Sequence, residues 1–333
     1  MRRLCCLAPI LFALGCNANG TSKDMAPAGP PDMAGWETYS LNFGPIGPVP
    51  AGTENTQCVI ERLGNPAPIH VNTMHNILGD ASHHMIVYKV NDTVEQKTPF
   101  DCQPFTDTLD PSKGSPLVVT QKKDDLLTLP AGVGFSLDAN QMVRLELHYI
   151  NASPNPVMVS ASTTMVAMPA AEFKNEAGFL FIGDPDIDLM PMSTLSVKAF
   201  FPLPAAFNGV NFFAITGHEH HLGTNVTVET ALQASDPGTS VYNVPGWSWS
   251  EPATVMAQPP FQIPNGGGFN FECDWNNTTT NEVKFGASAN DEMCFFWAYY
   301  YPNKGARVCV HTEQYGGQDL CCPDAGQAIC SKL

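Results

Sequence analysis

Short extended runs punctuated by glycine and proline, with almost no helical periodicity, restrict this chain to an all-β fold. Residues 85–90, 143–149, 157–161, 195–200 and 225–230 are such runs, rich in Val, Ile, Phe, Tyr and Thr. Many alternate apolar and polar side chains, the pattern of a strand with one face in a core and the other in water. The 29 prolines and 27 glycines between them supply the turns. Short strands of this kind bury their apolar faces by stacking sheet on sheet, so sandwiches or jelly rolls are expected. A length of 333 residues, at roughly 100–200 per domain, fits two consecutive β-sandwich (jelly-roll) domains. A polar stretch at 168–176 separates two blocks of strands, which places the expected domains at 37–170 and 171–303.

The two ends read differently. Arg2 and Arg3 precede an apolar segment, residues 4–14, that closes on Gly15-Cys16. A charged start, a short apolar run and a small residue at its end describe an export signal over 1–16, too short for a comfortable bilayer span. Ala13-Leu14-Gly15-Cys16 also resembles a bacterial lipobox, which makes Cys16 a candidate lipid anchor. Residues 17–36 are small, polar and proline-rich, as a flexible tether is. The expected location is therefore outside the cytoplasm, as a membrane-anchored lipoprotein or a secreted protein. Beyond Pro302 the chain turns polar and cysteine-rich, and 304–333 is expected to be a stapled tail.

Eleven cysteines fit export. Cys5 and Cys6 leave with the signal and Cys16 carries lipid, so Cys58, Cys102, Cys273, Cys294, Cys309, Cys321, Cys322 and Cys330 remain. An even number in an oxidising compartment implies disulfides, and the spacing does not fix their pairing. No paired Cys-x-x-Cys knuckles occur, which argues against a cysteine zinc site. A formal net charge of −16 argues against nucleic acid as a partner.

Six of the nine histidines fall in three motifs: Ser82-His83-His84-Met85, Leu147-His148-Tyr149 and Gly217-His218-Glu219-His220-His221-Leu222-Gly223. On a strand, His218 and His220 project from one face, within about 7 Å of each other, and can chelate one ion. His221 then points away and serves a hydrogen bond or packing. His83 and His84 face opposite ways on a flat strand. A bulge or a strand end is needed for both to reach one metal; otherwise one is buried and the other exposed. His148 alone is compatible with a core histidine or a ligand.

Together the motifs resemble the copper type II, ascorbate-dependent monooxygenases, the family of peptidylglycine α-hydroxylating monooxygenase and dopamine β-monooxygenase. His83-His84-Met85, Leu147-His148-Tyr149, the segment from Phe213 to Gly223, and Asp291-Glu292-Met293-Cys294 followed by Tyr299-Tyr300-Tyr301-Pro302 carry the resemblance, in the family's order. The resemblance implies two copper ions per chain, one held by His83, His84 and His148, the other by His218, His220 and Met293. It implies Cys58–Cys102 and Cys273–Cys294 disulfides. Cys309 has no such partner and is expected to pair within the tail, with Cys321, Cys322 or Cys330. Imidazole suits both copper oxidation states and a thioether favours Cu(I). The implied reaction hydroxylates a C–H bond of a small organic substrate with O2, taking electrons from ascorbate or a similar one-electron reductant. His218, His220 and Met293 stand nearest the chemistry. Glu219, on the opposite face, is a poor general base.

The peptide-hydroxylating branch grips a carboxylate with Arg, Asn and Tyr. The matching positions are Thr216, Phe295 and Trp297, which lack a cation. Phe295, Phe296 and Trp297 instead favour an apolar or aromatic substrate, or simply form the core of a strand. The alternative function is a non-catalytic exported copper-binding protein of the same fold. A third reading is a structural β-sandwich lipoprotein with incidental histidines.

Overall fold

The computed structural model describes residues 35–103, 113–313 and 317–324. The export signal, the Cys16 anchor, nearly all of the tether and Cys330 lie outside the described residues. The first block of strands comprises β1 (Glu37–Val49), β2 (Glu54–Arg62), β3 (Ile69–Leu78), β4 (Ser82–Val90), β5 (Gln96–Asp101), β6 (Gly114–Thr120), β7 (Asp124–Thr128), β8 (Val133–Leu137), β9 (Met142–Ile150), β10 (Val157–Met168) and β11 (Asn175–Glu176). The second comprises β12 (Gly178–Gly183), β13 (Asp188–Leu189), β14 (Ser193–Pro202), β15 (Asn211–His218), β16 (Gly223–Ala231), β17 (Thr239–Asn243), β18 (Val255–Phe261), β19 (Gly268–Asn277), β20 (Val283–Lys284), β21 (Phe295–Tyr301), β22 (Arg307–Thr312) and β23 (Gln318–Cys322). All five runs picked out by alternation lie in strands, and the all-β expectation holds.

Each block forms its own pair of main sheets, and the second adds a two-stranded sheet of β13 and β20. In the first, β1-β10-β3-β8-β11, with β7 beside β3, faces β5-β2-β9-β4-β6. In the second, β18-β15-β21-β12-β22-β23 faces β14-β19-β16-β17. Asn175 and Glu176 still pair with β8, so the chain passes to the second sandwich only at Ala177. Residues 307–312 and 318–322, read from sequence as tail, are strands of the second sandwich, β22 lying parallel to β12.

Gly35–Leu333 is a single unit. Its cores explain why. Phe212, Ile215, Phe269, Phe271, Phe296 and Trp275 belong to a cluster inside the second sandwich. The other cluster runs from the core of the first sandwich into the neighbouring face of the second, through Phe179, Phe181, Phe295, Trp297 and Tyr299. Alternation along β21 therefore divides its aromatic residues. Phe295 and Trp297 look toward the first sandwich, whereas Phe296 turns away and packs on Phe269 and Phe271. For Phe296 the packing role is the one realised.

The same boundary corrects the expectation for residues 143–149. Their alternation reads as a half-buried strand, yet every residue of β9 from Met142 to Tyr149 is buried. Leu145 and Leu147 fill the first core. Across the sheet, His84 pairs with His148, Ile86 with Glu146 and Tyr88 with Arg144, so these share the other face. There Arg144 lies over the Tyr88 ring, 4.2 Å from its centroid, and 3.6 Å from Glu146. The histidine end of that face meets the second sandwich.

Three disulfides have both partners among the described residues: Cys58–Cys102, Cys273–Cys294 and Cys309–Cys321. The first two are the pairs that the family resemblance implies. The third identifies the partner of Cys309 among the three candidates. It joins the paired strands β22 and β23.

Candidate metal centre

The six candidate ligands come from three strands, one turn and one loop, all at the boundary between the sandwiches. His83 and His84 begin β4. The ladder from β4 to β9 is regular from His84 onward but slips between Ser82 and His84. That irregularity lets adjacent residues share a side. The His83 and His84 ring centroids are 5.4 Å apart, and those of His83 and His148 5.5 Å. His148, on β9 opposite His84, brings its Nδ1 within 3.2 Å of His84 Nε2. Two nitrogens bound to one copper at about 2.0 Å sit at a similar separation, so this pair is spaced to share an ion.

His218 ends β15. Gly217 before it permits the strand to press inward, because a Cβ there would lie 2.7 Å from Val226. His220 follows in the turn, and the His218 and His220 rings stand 5.1 Å apart, nearly perpendicular. The segment before β21 is tied to them. His220 Nδ1 donates to the Asp291 carbonyl at 3.0 Å, and the His220 N–H donates to the Glu292 carboxylate at 2.9 Å. Glu292 also accepts from the Leu222 N–H at 2.7 Å and from the Trp275 indole at 2.9 Å. Met293, next in the chain, is 6 % exposed and packs in the cluster of Phe295 and Trp297. Cys294 then fixes the strand to Cys273.

Burial sets the charge state. His84 and His218 are held well below the ordinary histidine range by desolvation and then by neighbouring histidines. Desolvation takes His83 to about 3 and His220 to about 4. His148 is also lowered by burial, with Glu54 opposing. The five imidazoles are therefore neutral, as metal ligands must be. Glu219, on the other side of the turn, is pushed up to about 10 by burial and then by Glu292. It is protonated at neutral pH and unsuited to act as a base. His221 makes the hydrogen bond expected of it, to the Ala289 carbonyl, and lies against Trp249, which also flanks His83.

Sequence reasoning gives no role to three polar residues that the structure places at the site. Glu54 accepts from His148 Nε2 at 2.9 Å, from the Ala289 N–H at 2.9 Å and from Ser288 Oγ at 3.2 Å. It thus joins a first-sandwich histidine to a second-sandwich loop, in the carboxylate–histidine arrangement that orients metal ligands. Burial pushes Glu54 up, but these bonds outweigh it and hold the carboxyl below the usual range. Gln121 reaches His218 from the first sandwich at 3.1 Å. Glu292 organises the His220 turn. No spacing rule marks Glu54 or Gln121, which only folding brings beside the motifs; Glu292 lies inside the Asp291-Glu292-Met293-Cys294 motif, and only the structure shows what it holds.

The sequence treats the two ligand sets as separate centres. In the structure they adjoin, His84 and His218 having ring centroids 6.5 Å apart. Among the described residues, no group of three or more His, Cys, Asp or Glu side chains stands gathered as a formed metal site. The donor chemistry nevertheless fits copper: neutral imidazoles and one thioether. His83 Nε2 and His218 Nε2 are buried and have no hydrogen-bond partner among the described residues, as nitrogens reserved for a metal would be.

Comparison with known proteins agrees with this chemistry. A family model described as copper type II ascorbate-dependent monooxygenase, C-terminal domain, matches residues 194–317, which contain His218, His220 and Met293. Tyramine beta-hydroxylase of Caenorhabditis briggsae is 21 % identical over 284 residues, covering 79 % of this chain and 48 % of that protein. The chain thus spans about half the length of that curated relative. Among solved structures, the major capsid protein P2 of bacteriophage PM2 matches at a TM-score of 0.32 and 10 % identity, covering 79 % of this chain and 97 % of that one. The cowpea mosaic virus top component matches at 0.31 and 11 %, covering 80 % and 87 %. Likenesses this low bear on nothing further. The domain match over residues 194–317 and the curated relative make this chain similar to the copper type II ascorbate-dependent monooxygenase family.

Proposed function

We propose that this protein is a monooxygenase that binds two copper ions and hydroxylates a C–H bond of a small organic substrate, with O2 and ascorbate or a similar one-electron reductant. The observation that carries the proposal is the convergence of five buried, neutral imidazoles from two sandwiches, with the Met293 segment tied to His220 by two hydrogen bonds. Copper bound there would supply the one-electron redox chemistry and the activation of O2 that hydroxylation requires.

The chain's own residues have distinct tasks. His83, His84 and His148 are the ligands of one site, with Glu54 orienting His148 through its Nε2–H. His218, His220 and Met293 are the ligands of the other, with Asp291 and Glu292 setting the spacing between His220 and the thioether. Phe295 and Trp297 lie on the histidine side of β21, Trp297 with its ring centroid 5.9 Å from His218. They favour an apolar or aromatic substrate, and the relative's name makes tyramine the first compound to try. All six ligands are at most 8 % exposed, so substrate entry requires local opening of the protein at this site. That same burial would suit a non-catalytic copper-binding protein, the second reading. The disulfides favour an oxidising compartment, and export with lipid on Cys16 completes the proposal.

The test is copper content together with oxygen consumption driven by ascorbate and coupled to a hydroxylated product. About two coppers per chain with coupled turnover is the expected result; bound copper without product selects the second reading. His148→Ala is expected to lower copper content by about one and to stop turnover. Full copper loading in that variant would remove His148 from the ligand set.

A further inference from the structure

We infer that Gln121, from the first sandwich, is a positioning residue for a histidine of the second: it selects the His218 tautomer whose Nε2 is free to bind copper. The inference rests on the reading of His218 as a ligand.

The placement follows from the sheet. β6 is the edge strand beside β4, and Thr120, its last residue, pairs with Met85. This edge meets the second sandwich, for the Val119 N–H donates to Tyr299 Oη at 3.2 Å. Gln121 follows one step beyond, alongside the end of β4 that carries His84, and is 4 % exposed. Its Oε1 lies 3.1 Å from His218 Nδ1.

A carbonyl oxygen only accepts, so Nδ1 must carry the proton. A neutral imidazole has one N–H, which leaves the lone pair on Nε2, the buried nitrogen without a partner. His220 reaches the same state differently, since its Nδ1 donates to the backbone carbonyl of Asp291 in its own sandwich. One ligand of the pair is thus preset by its own fold. The other is preset only while the first sandwich is docked. The reverse tautomer would place the proton on Nε2 and block coordination there. Copper affinity at the second site consequently depends on contact with the half of the protein that holds the first.

Two substitutions separate this role from packing. Gln121→Glu keeps an acceptor facing Nδ1. Gln121→Leu keeps approximate volume and removes it. Histidine side-chain nitrogen NMR of the metal-free, full-length protein should find His218 protonated at Nδ1 in wild type and in the Glu variant, but not in the Leu variant. Titration of Cu(I) against a competing chelator should find the His218/His220/Met293 site weakened about 10–100-fold by Leu, the range typical for loss of a partner behind a ligand. The Glu variant should hold wild-type affinity at that site, and the three-histidine site should be unchanged in both, which also reports on folding. A proton on Nε2 of His218 in wild type overturns the inference. So does a Leu variant that binds copper normally while Glu weakens it, the pattern of simple packing. Should wild type take up no copper at the second site, the functional proposal fails, and the wild-type tautomer still decides the role of Gln121.

Discussion

Met293→Leu is expected to abolish hydroxylation while leaving about one copper bound per chain. Leucine matches methionine closely in volume, and such exchanges in a core cost less than about 1.5 kcal/mol. The packing with Phe295 and Trp297 therefore survives. What disappears is the only soft donor among the six candidate ligands, and with it the preference of that site for Cu(I). Removing a partner behind a ligand lowers activity about 10–100-fold, so losing a ligand itself should exceed about 100-fold. Met293→Ala should show the same catalytic loss with an added cavity cost of about 2–5 kcal/mol. Comparing the two separates chemistry from stability. Copper content, turnover and thermal unfolding of both variants are the measurements, and a Leu variant that turns over normally would discard Met293 as a ligand.

The strands were legible because alternation reports apolar against polar. It does not report whether a polar face is wet. Arg144, Glu146 and His148 alternate with valine and leucines as a solvent face would, and only the second sandwich makes that face dry. The run Phe295-Phe296-Trp297 gives the converse case: three apolar residues in sequence, divided by the pleat between two cores. The ligand motifs were legible because imidazoles at short spacing are rare and chemically specific. Their supports were not, since Glu54 lies 94 residues from His148, and Gln121 lies 97 from His218. A lone Glu or Gln has no period and no motif, and its role arises only when folding brings a partner to it. The adjoining of the two ligand sets was hidden for the same reason: domain docking leaves no local signature in a chain. Residues 307–312 read as tail in sequence because the polar and cysteine-rich stretch around them outweighs the three-residue run Val308-Cys309-Val310, which the structure buries.

Glu292→Ala should be the most damaging single change to stability near the site. The carboxylate is fully buried and accepts from the His220 and Leu222 backbone N–H groups and from the Trp275 indole. Alanine leaves all three donors buried without an acceptor, at about 1–3 kcal/mol each. Water entering the vacated space offsets part of this, so a net loss of about 3–5 kcal/mol is expected. Glu292→Gln keeps the volume and one carbonyl oxygen but turns an amide NH2 toward an existing donor, for a smaller loss of about 1–3 kcal/mol. The site feels both changes through one connection. The His220 turn loses its bond to the residue beside Met293, so copper affinity at His218, His220 and Met293 should weaken before that of the three-histidine site. Urea unfolding, read as a shift in midpoint at constant slope, together with Cu(I) competition at each site, measures the two effects. An alanine variant within about 0.5 kcal/mol of wild type, the range of an inconsequential surface change, would mean that the turn holds its shape without the carboxylate.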